Sequence, residues 1–163
     1  MKVDRINEFA FKIGTVNGTG SASANGLIMQ AIFRMGVPVS GKNVFPSNIQ
    51  GLPTWYEIRV NSEGHVARTP DFDLIVAMNP ETYERDIEEL VPGGWLLYDL
   101  SWPMATDLQR EDVTFLGIPL AEMCLEHFEG SRTRILMKNI TYTGALAALL
   151  QIDMEVIREL LEE

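Results

Sequence analysis

Cysteine is almost absent from this chain of 163 residues: Cys124 stands alone. One thiol can build neither an internal disulfide framework nor a cysteine metal or iron–sulfur site. Histidine is nearly as scarce, and neither His65 nor His127 has a partner at His-Glu-x-x-His spacing. Basic residues number 13 against 23 acidic ones, for a net charge of −10. Their scatter argues against nucleic acid as partner, because phosphate backbones need clustered Lys and Arg. No apolar run approaches the ~20 residues of a membrane span. The start, Met1-Lys2-Val3-Asp4-Arg5, lacks the basic-then-apolar pattern of an export signal, so a cytoplasmic location is expected. There is no Gly-x-Ser-x-Gly elbow, no repeat and no low-complexity tract.

What is present, a chain with 46% hydrophobic residues, reads as one globular domain with a sizeable core. An apolar run, Phe9–Ile13, leads into Thr15-Val16-Asn17-Gly18-Thr19-Gly20-Ser21-Ala22-Ser23-Ala24-Asn25-Gly26, and a helical pattern follows. Glycine at such a strand-to-helix joint permits a sharp turn and close ligand approach. The helix start offers free N–H groups and the positive end of a dipole. Asn17, Gly18, Thr19, Gly20, Ser21 and Ser23 therefore form a candidate phosphate cradle. The pattern is neither G-x-G-x-x-G nor a Walker A loop, and a tight structural turn needs the same residues.

Downstream the periodicities alternate. Strands are expected near 9–16, 37–44, 54–60, 72–78, 95–99 and 113–119, with a returning hairpin arm over 65–68. Helices are expected near 24–36, from Pro80 to before Pro92, and near 120–129, 138–150 and 153–162. This order argues a single three-layer α/β domain with a mostly parallel sheet and a glycine-rich loop after its first strand. Ligands of such sheets bind beyond the carboxyl ends of the strands.

A second unusual stretch is Phe45-Pro46-Ser47-Asn48-Ile49-Gln50-Gly51-Leu52-Pro53. Its polar side chains suit a ligand or a partner, although the prolines also suit a stiff crossover. Arg59, on the strand that follows, can reach a carboxylate or phosphate, or pair with Glu57 of its own sheet. Cys124 sits in an apolar helical context and reads as a buried thiol. Glu84, Asp86, Glu88 and Glu89 read as a solvated helix face. No catalytic constellation stands out, which fits a domain that assists chemistry carried elsewhere. A Rossmann dehydrogenase would carry an acid about 20 residues past the glycines; Val39–Val44 has none. A free nucleotide- or coenzyme A-binding module without redox chemistry is the other alternative.

Three stretches together resemble the gamma-type domain of 2-oxoacid:ferredoxin oxidoreductases, the thiamine-dependent enzymes that include pyruvate and 2-oxoglutarate synthases. Asn17–Gly26 is similar to that family's glycine-rich loop. Phe45–Pro53 with Ile58-Arg59-Val60 is similar to its aromatic-Pro-Ser-Glu-x-Arg-Gly-Gly segment and the strand after it. Lys138-Asn139-Ile140 through Gly144-Ala145-Leu146 is similar to its Asn-Met…Gly-Ala-Leu helix. Thr19 and Ser21 stand where glycine is common, and Asn48, Gln50 and Leu52 replace an acid, an arginine and a glycine.

The resemblance implies that residues 1–163 form one gamma-type domain, either a separate subunit or part of a longer alpha subunit. It implies a structural role and a share in holding coenzyme A at the glycine loop. Pro46, Ser47, Asn48, Gln50, Gly51 and Arg59 would then face the substrate path or a partner. Thiamine diphosphate, magnesium and iron–sulfur clusters would lie on other domains or subunits, with ferredoxin reached through the complex. The isolated chain is expected to be non-catalytic.

Overall fold

β1 (Glu8–Val16) is the central strand, and its alternation serves two different faces. Phe11 and Ile13 pack into one apolar cluster and Ala10 into another. The computed structural model describes residues 6–45 and 51–163. Among them the sheet has six strands in the order β2-β3-β1-β4-β5-β6: β2 (Val39–Val44), β3 (Pro53–Asn61), β4 (Phe72–Ala77), β5 (Leu90–Asp99) and β6 (Thr114–Ile118). β1, β4, β5 and β6 pair parallel, and β3 runs antiparallel to both β1 and β2. The sheet is thus mostly parallel, with β3 alone reversed.

The larger core lies between one face of the sheet and three helices: α1 (Ser21–Arg34), α4 (Ser131–Leu149) and α5 (Met154–Glu162). Ile28, Ala31, Leu146 and Ile157 meet Ile13, Ile58 and Val76 there. On the other face, α2 (Tyr83–Glu88) lays Tyr83 and Ile87 over Ile75 and Leu96. Both faces of β4 and β5 are covered, hence their near-continuous apolar runs. α3 (Leu120–His127) follows β6 and packs on α4.

Three local features differ from the expected pattern. Residues 65–68 form no strand; the segment is held by side chains, Arg68 to Glu57 and Arg59 to the carbonyl of Ala67. Pro92-Gly93-Gly94 lies inside β5 as a bulge, since Phe72 pairs with Leu90 but Leu74 with Trp95. Gly94 has no room for a side chain there: a Cβ would meet the Val91 carbonyl at 2.8 Å. α4 begins at Ser131, seven residues before the expected start.

Candidate functional site

The carboxyl ends of β1, β4, β5 and β6 and the amino end of β3 make one edge of the sheet. The loop from β1 to α1 occupies it. Gly18 and Gly20 adopt φ of 87° and 80°, a left-handed conformation that side-chain-bearing residues resist. Gly20 is the N-cap of α1 and supplies no side-chain oxygen, and no acid lies in the first turn. The first-turn N–H groups of a helix have no intrahelical acceptor. They therefore form an uncapped donor row at the positive end of the helix dipole. Thr19 Oγ1 donates to the Val16 carbonyl at 2.7 Å, and Ser21 Oγ lies 2.8 Å from Thr15 Oγ1. These two hydroxyls are thus committed inside the domain, and the outward chemistry is left to the backbone and to exposed Ser23.

Two other stretches singled out in the sequence end at this loop. The Asn17 N–H donates to the Leu52 carbonyl at 2.8 Å, and the Gly51 N–H to the Asn17 carbonyl at 3.1 Å. From α4, Asn139 Nδ2 donates to the Thr19 carbonyl at 2.9 Å. Leu136 fills the space beside Gly20, where an added Cβ would stand 2.6 Å from its methyl. Pro46, Ser47, Asn48 and Gln50 lie outside the described residues. Arg59 is not brought to the loop. It pairs in register with Ala10, six residues and so about 20 Å along β3 from Pro53. Its guanidinium donates to the Ala67 carbonyl at 2.7 Å, while Glu57 takes Arg68.

Sequence reasoning missed the charged centre on the second face. Lys12 is 1% exposed, with its ammonium 3.0 Å from Asp86 and 2.6 Å from Glu89. Asp86, 0% exposed, is no part of a solvated face: it also accepts Trp55 Nε1 at 2.9 Å and Thr82 Oγ1 at 2.7 Å. Gly14 makes room for this cluster, since a Cβ there would lie 3.0 Å from Asp86 Oδ2. Burial alone would raise the Glu89 carboxyl, but hydrogen bonds from Lys12 and Arg85 outweigh it and hold the group below its usual range. A lysine in the middle of an apolar strand was the available signal, because a buried ammonium requires buried acids.

Two buried polar residues sit at the strand ends. Asn79 Oδ1 caps the 3-10 turn Pro80–Thr82 by accepting the Glu81 N–H at 3.1 Å. Asp99 Oδ1 accepts the N–H groups of Ser101 and Ala121, and Lys138 Nζ stands 3.5 Å from its other oxygen. Cys124 is buried, 3.8 Å from Thr141 Oγ1, and His65 and His127 are exposed. Among the described residues no group of three His, Cys, Asp or Glu side chains could hold a metal, and no helix is long and apolar enough to cross a membrane.

The family model described as pyruvate ferredoxin/flavodoxin oxidoreductase matches residues 10–163. The chain belongs to this family. It is similar to the 2-oxoglutarate:ferredoxin oxidoreductase of Magnetococcus marinus, solved with 2-oxoglutarate, coenzyme A and succinyl-CoA bound: 28% identity, TM-score 0.82, 96% of this chain and 27% of that one. Among curated proteins it is similar to subunit alpha of 2-oxoacid:ferredoxin oxidoreductase 2 from Aeropyrum pernix, 29% identical over 87 residues, 53% of this chain and 14% of the relative. The fold is shared with pyruvate oxidoreductase subunit PORC of Thermotoga maritima, at TM-score 0.72 and 18% identity over 96% of this chain and 85% of that one. The chain thus spans well under a third of the first two relatives and most of the third.

Proposed function

We propose that this family member serves as the gamma-type domain or subunit of a multi-subunit 2-oxoacid:ferredoxin oxidoreductase. In that assembly a 2-oxoacid is oxidatively decarboxylated to an acyl-coenzyme A, with thiamine diphosphate, magnesium and iron–sulfur clusters carried by other domains or subunits. One observation carries the reading: the segments that resemble the family are hydrogen-bonded into one edge, through Asn17 to Leu52 and Asn139 to Thr19.

In this proposal the edge takes the pyrophosphate of coenzyme A. The fit rests on the uncapped start of α1 and on the left-handed backbone at Gly18 and Gly20, which turns the chain into the helix so that its first N–H groups can meet a phosphate. Gly18, Gly20 and Ser21 contribute main-chain N–H groups, Asn17 and Thr19 hold the loop in place through theirs, and Ser23 adds a hydroxyl. Coenzyme A, when bound, supplies the thiol that receives the acyl group. The loop fixes its diphosphate, and Asn139 and Leu136 fix the loop. Pro46, Ser47, Asn48, Gln50 and Gly51 are proposed to face the partner or the substrate path beside it. Arg59, at the far end of β3, would serve that role only through another part of the surface.

The test is reconstitution. The chain, co-expressed with thiamine-binding and iron–sulfur subunits, should co-purify with them and support coenzyme A-dependent reduction of ferredoxin by a 2-oxoacid, while the chain alone reduces nothing. Full 2-oxoacid activity without the chain would remove it from the enzyme. Binding of coenzyme A with equal affinity by wild type and Gly18→Val would remove the loop from the site.

A further inference from the structure

The first two turns of α4 are anchored to the domain on one side, through Leu136 at Gly20 and Arg134 at the Phe128 carbonyl, and exposed on the other. α4 meets the loop ahead of α1 first and α1 itself later: Leu136 and Asn139 sit at Gly20 and Thr19, and Tyr142 one turn on at Asn25. The two helices therefore run side by side in one direction, and the residues before Leu136 lie beyond the carboxyl edge of the sheet. Five residues, Ser131–Ile135, make an overhang of about 8 Å. No residue from 131 to 138 is buried.

The overhang is not built for solvent. The buried side of α4 is Asn139, Tyr142, Thr143 and Leu146, at the three- and four-residue spacing of one helix face. Continued backwards, the same face carries Ile135, Leu136 and Arg132. Ile135 is 44% exposed and Leu136 43%. A core-facing stripe thus runs on past the core. Helices of this length owe most of their stability to packing, so an apolar stripe left nearly half exposed points to a further cover outside the chain.

Charge indicates the cover's chemistry. The whole chain has net charge −10, yet α4 contains no acid; its charges are Arg132, Arg134 and Lys138. Arg134 is held by the Phe128 carbonyl and Lys138 lies by Asp99, which leaves Arg132 outward. We propose that Arg132, Ile135 and Leu136 dock on an apolar surface edged by carboxylates in the part of the oxidoreductase outside this chain. The inference rests on the gamma-domain reading. The similar domain fills only 27% of the solved 2-oxoglutarate enzyme chain, so in that relative the remaining polypeptide is available as neighbour. A second copy is the poorer occupant, because an isologous contact would set Arg132 against Arg132 with no carboxylate from either α4 to meet it.

The experiment compares wild type, Arg132→Glu and Ile135→Asp, each tagged and co-expressed with the thiamine-binding and iron–sulfur subunits, with thermal melting of each purified chain alongside. The expected result is at least about a tenfold loss of assembly, the equivalent of roughly 1.4 kcal/mol, with melting temperatures within about 2 °C of wild type. Equal assembly of all three overturns the docking surface and leaves the gamma-domain reading standing. Loss of assembly with melting many degrees lower makes the overhang a brace of its own domain and overturns the proposal. A wild-type chain that dimerises through this face, with the variants monomeric, assigns it to self-association instead. A wild type that captures no other subunit overturns the gamma-domain reading itself.

Discussion

The Asn17 carbonyl accepts the Gly51 N–H at 3.1 Å. With the neighbouring bond from the Asn17 N–H to Leu52, it joins the glycine loop to the end of the β2–β3 connection. Two stretches that looked like separate candidates are therefore parts of one edge. Asn139, reaching the Thr19 carbonyl from α4, adds the third. The loop is held from both sides, so it can present its N–H groups without rearrangement on binding, which reduces the entropic cost of capturing a ligand.

The glycines of this region should respond in opposite directions. Gly20 has φ +80° and a Leu136 methyl 2.6 Å from any added Cβ. Gly20→Ala should therefore cost at least the ~1–2 kcal/mol of a left-handed side-chain residue. Gly26, inside α1, has nothing within 4 Å of an added Cβ and no positive φ. Gly26→Ala should stabilise by about 0.5–1 kcal/mol. Urea midpoints of the two variants should move apart; a shift of the same sign in both would refute the assignment.

The buried lysine makes a second case. Asp86 holds Lys12, Trp55 Nε1 and the Thr82 hydroxyl at once. Asp86→Ala leaves the buried ammonium with Glu89 alone and the indole N–H without its acceptor, at a cost of up to about 3–5 kcal/mol. Lys12→Met in the same background removes the half-paired charge, so the double variant should be more stable than the sum of the single changes. Strict additivity in the double-mutant cycle would mean that the pair does not interact.

These examples show which parts of the structure were legible in the sequence. Glycine positions, strand runs and the parallel sheet follow from local chemistry, and β4 announced its double cover by carrying apolar residues at nearly every position. Asp86 was misread because a helix face rich in Glu84, Glu88 and Glu89 looks solvated until the lysine of a distant strand is placed beneath it. The start of α4 was misread because Ile135-Leu136-Met137 is a solid apolar run between Arg134 and Lys138, with no polar break to show a helical period. The meeting of Asn17, Leu52 and Asn139 depends on main-chain and amide bonds between remote segments, which no spacing encodes.

Acid should weaken the fold through Glu89. Its folded carboxyl lies below the ordinary 4.5 because Lys12 and Arg85 favour the charged form over the opposing effect of burial. A depressed carboxyl contributes stability that is complete above the unfolded value and lost as pH falls through the folded one. Wild type should therefore lose stability below about pH 4.5 more steeply than Glu89→Gln, while at pH 7 the variant should be the less stable of the two. Denaturant midpoints at pH 7 and at pH 3 measure both differences, and an unchanged gap between the proteins would show that Glu89 does not titrate with folding.

Alkali should act through two tyrosines. Burial raises the phenols of Tyr142 and Tyr83 well above the ordinary 10.0. Tyr142 donates to Asn25 Oδ1 at 2.8 Å in the main core, whereas the Tyr83 hydroxyl is buried without a partner among the described residues. A phenol with a raised folded value contributes stability that is complete below the unfolded value of 10.0 and lost as pH climbs towards the folded one. Both residues should thus stay protonated in the folded chain and favour unfolding above pH 10. Their substitutions separate at neutral pH. Tyr142→Phe leaves Asn25 Oδ1 unpaired in the interior and should cost about 1–3 kcal/mol. Tyr83→Phe removes a hydroxyl that makes no bond and should be neutral or stabilising, because an unpaired buried polar group is itself a cost. Both variants should lose stability between pH 9 and 11 less steeply than wild type. Equal neutral-pH costs for the two would mean that the Tyr142–Asn25 bond contributes nothing beyond the bulk of the ring.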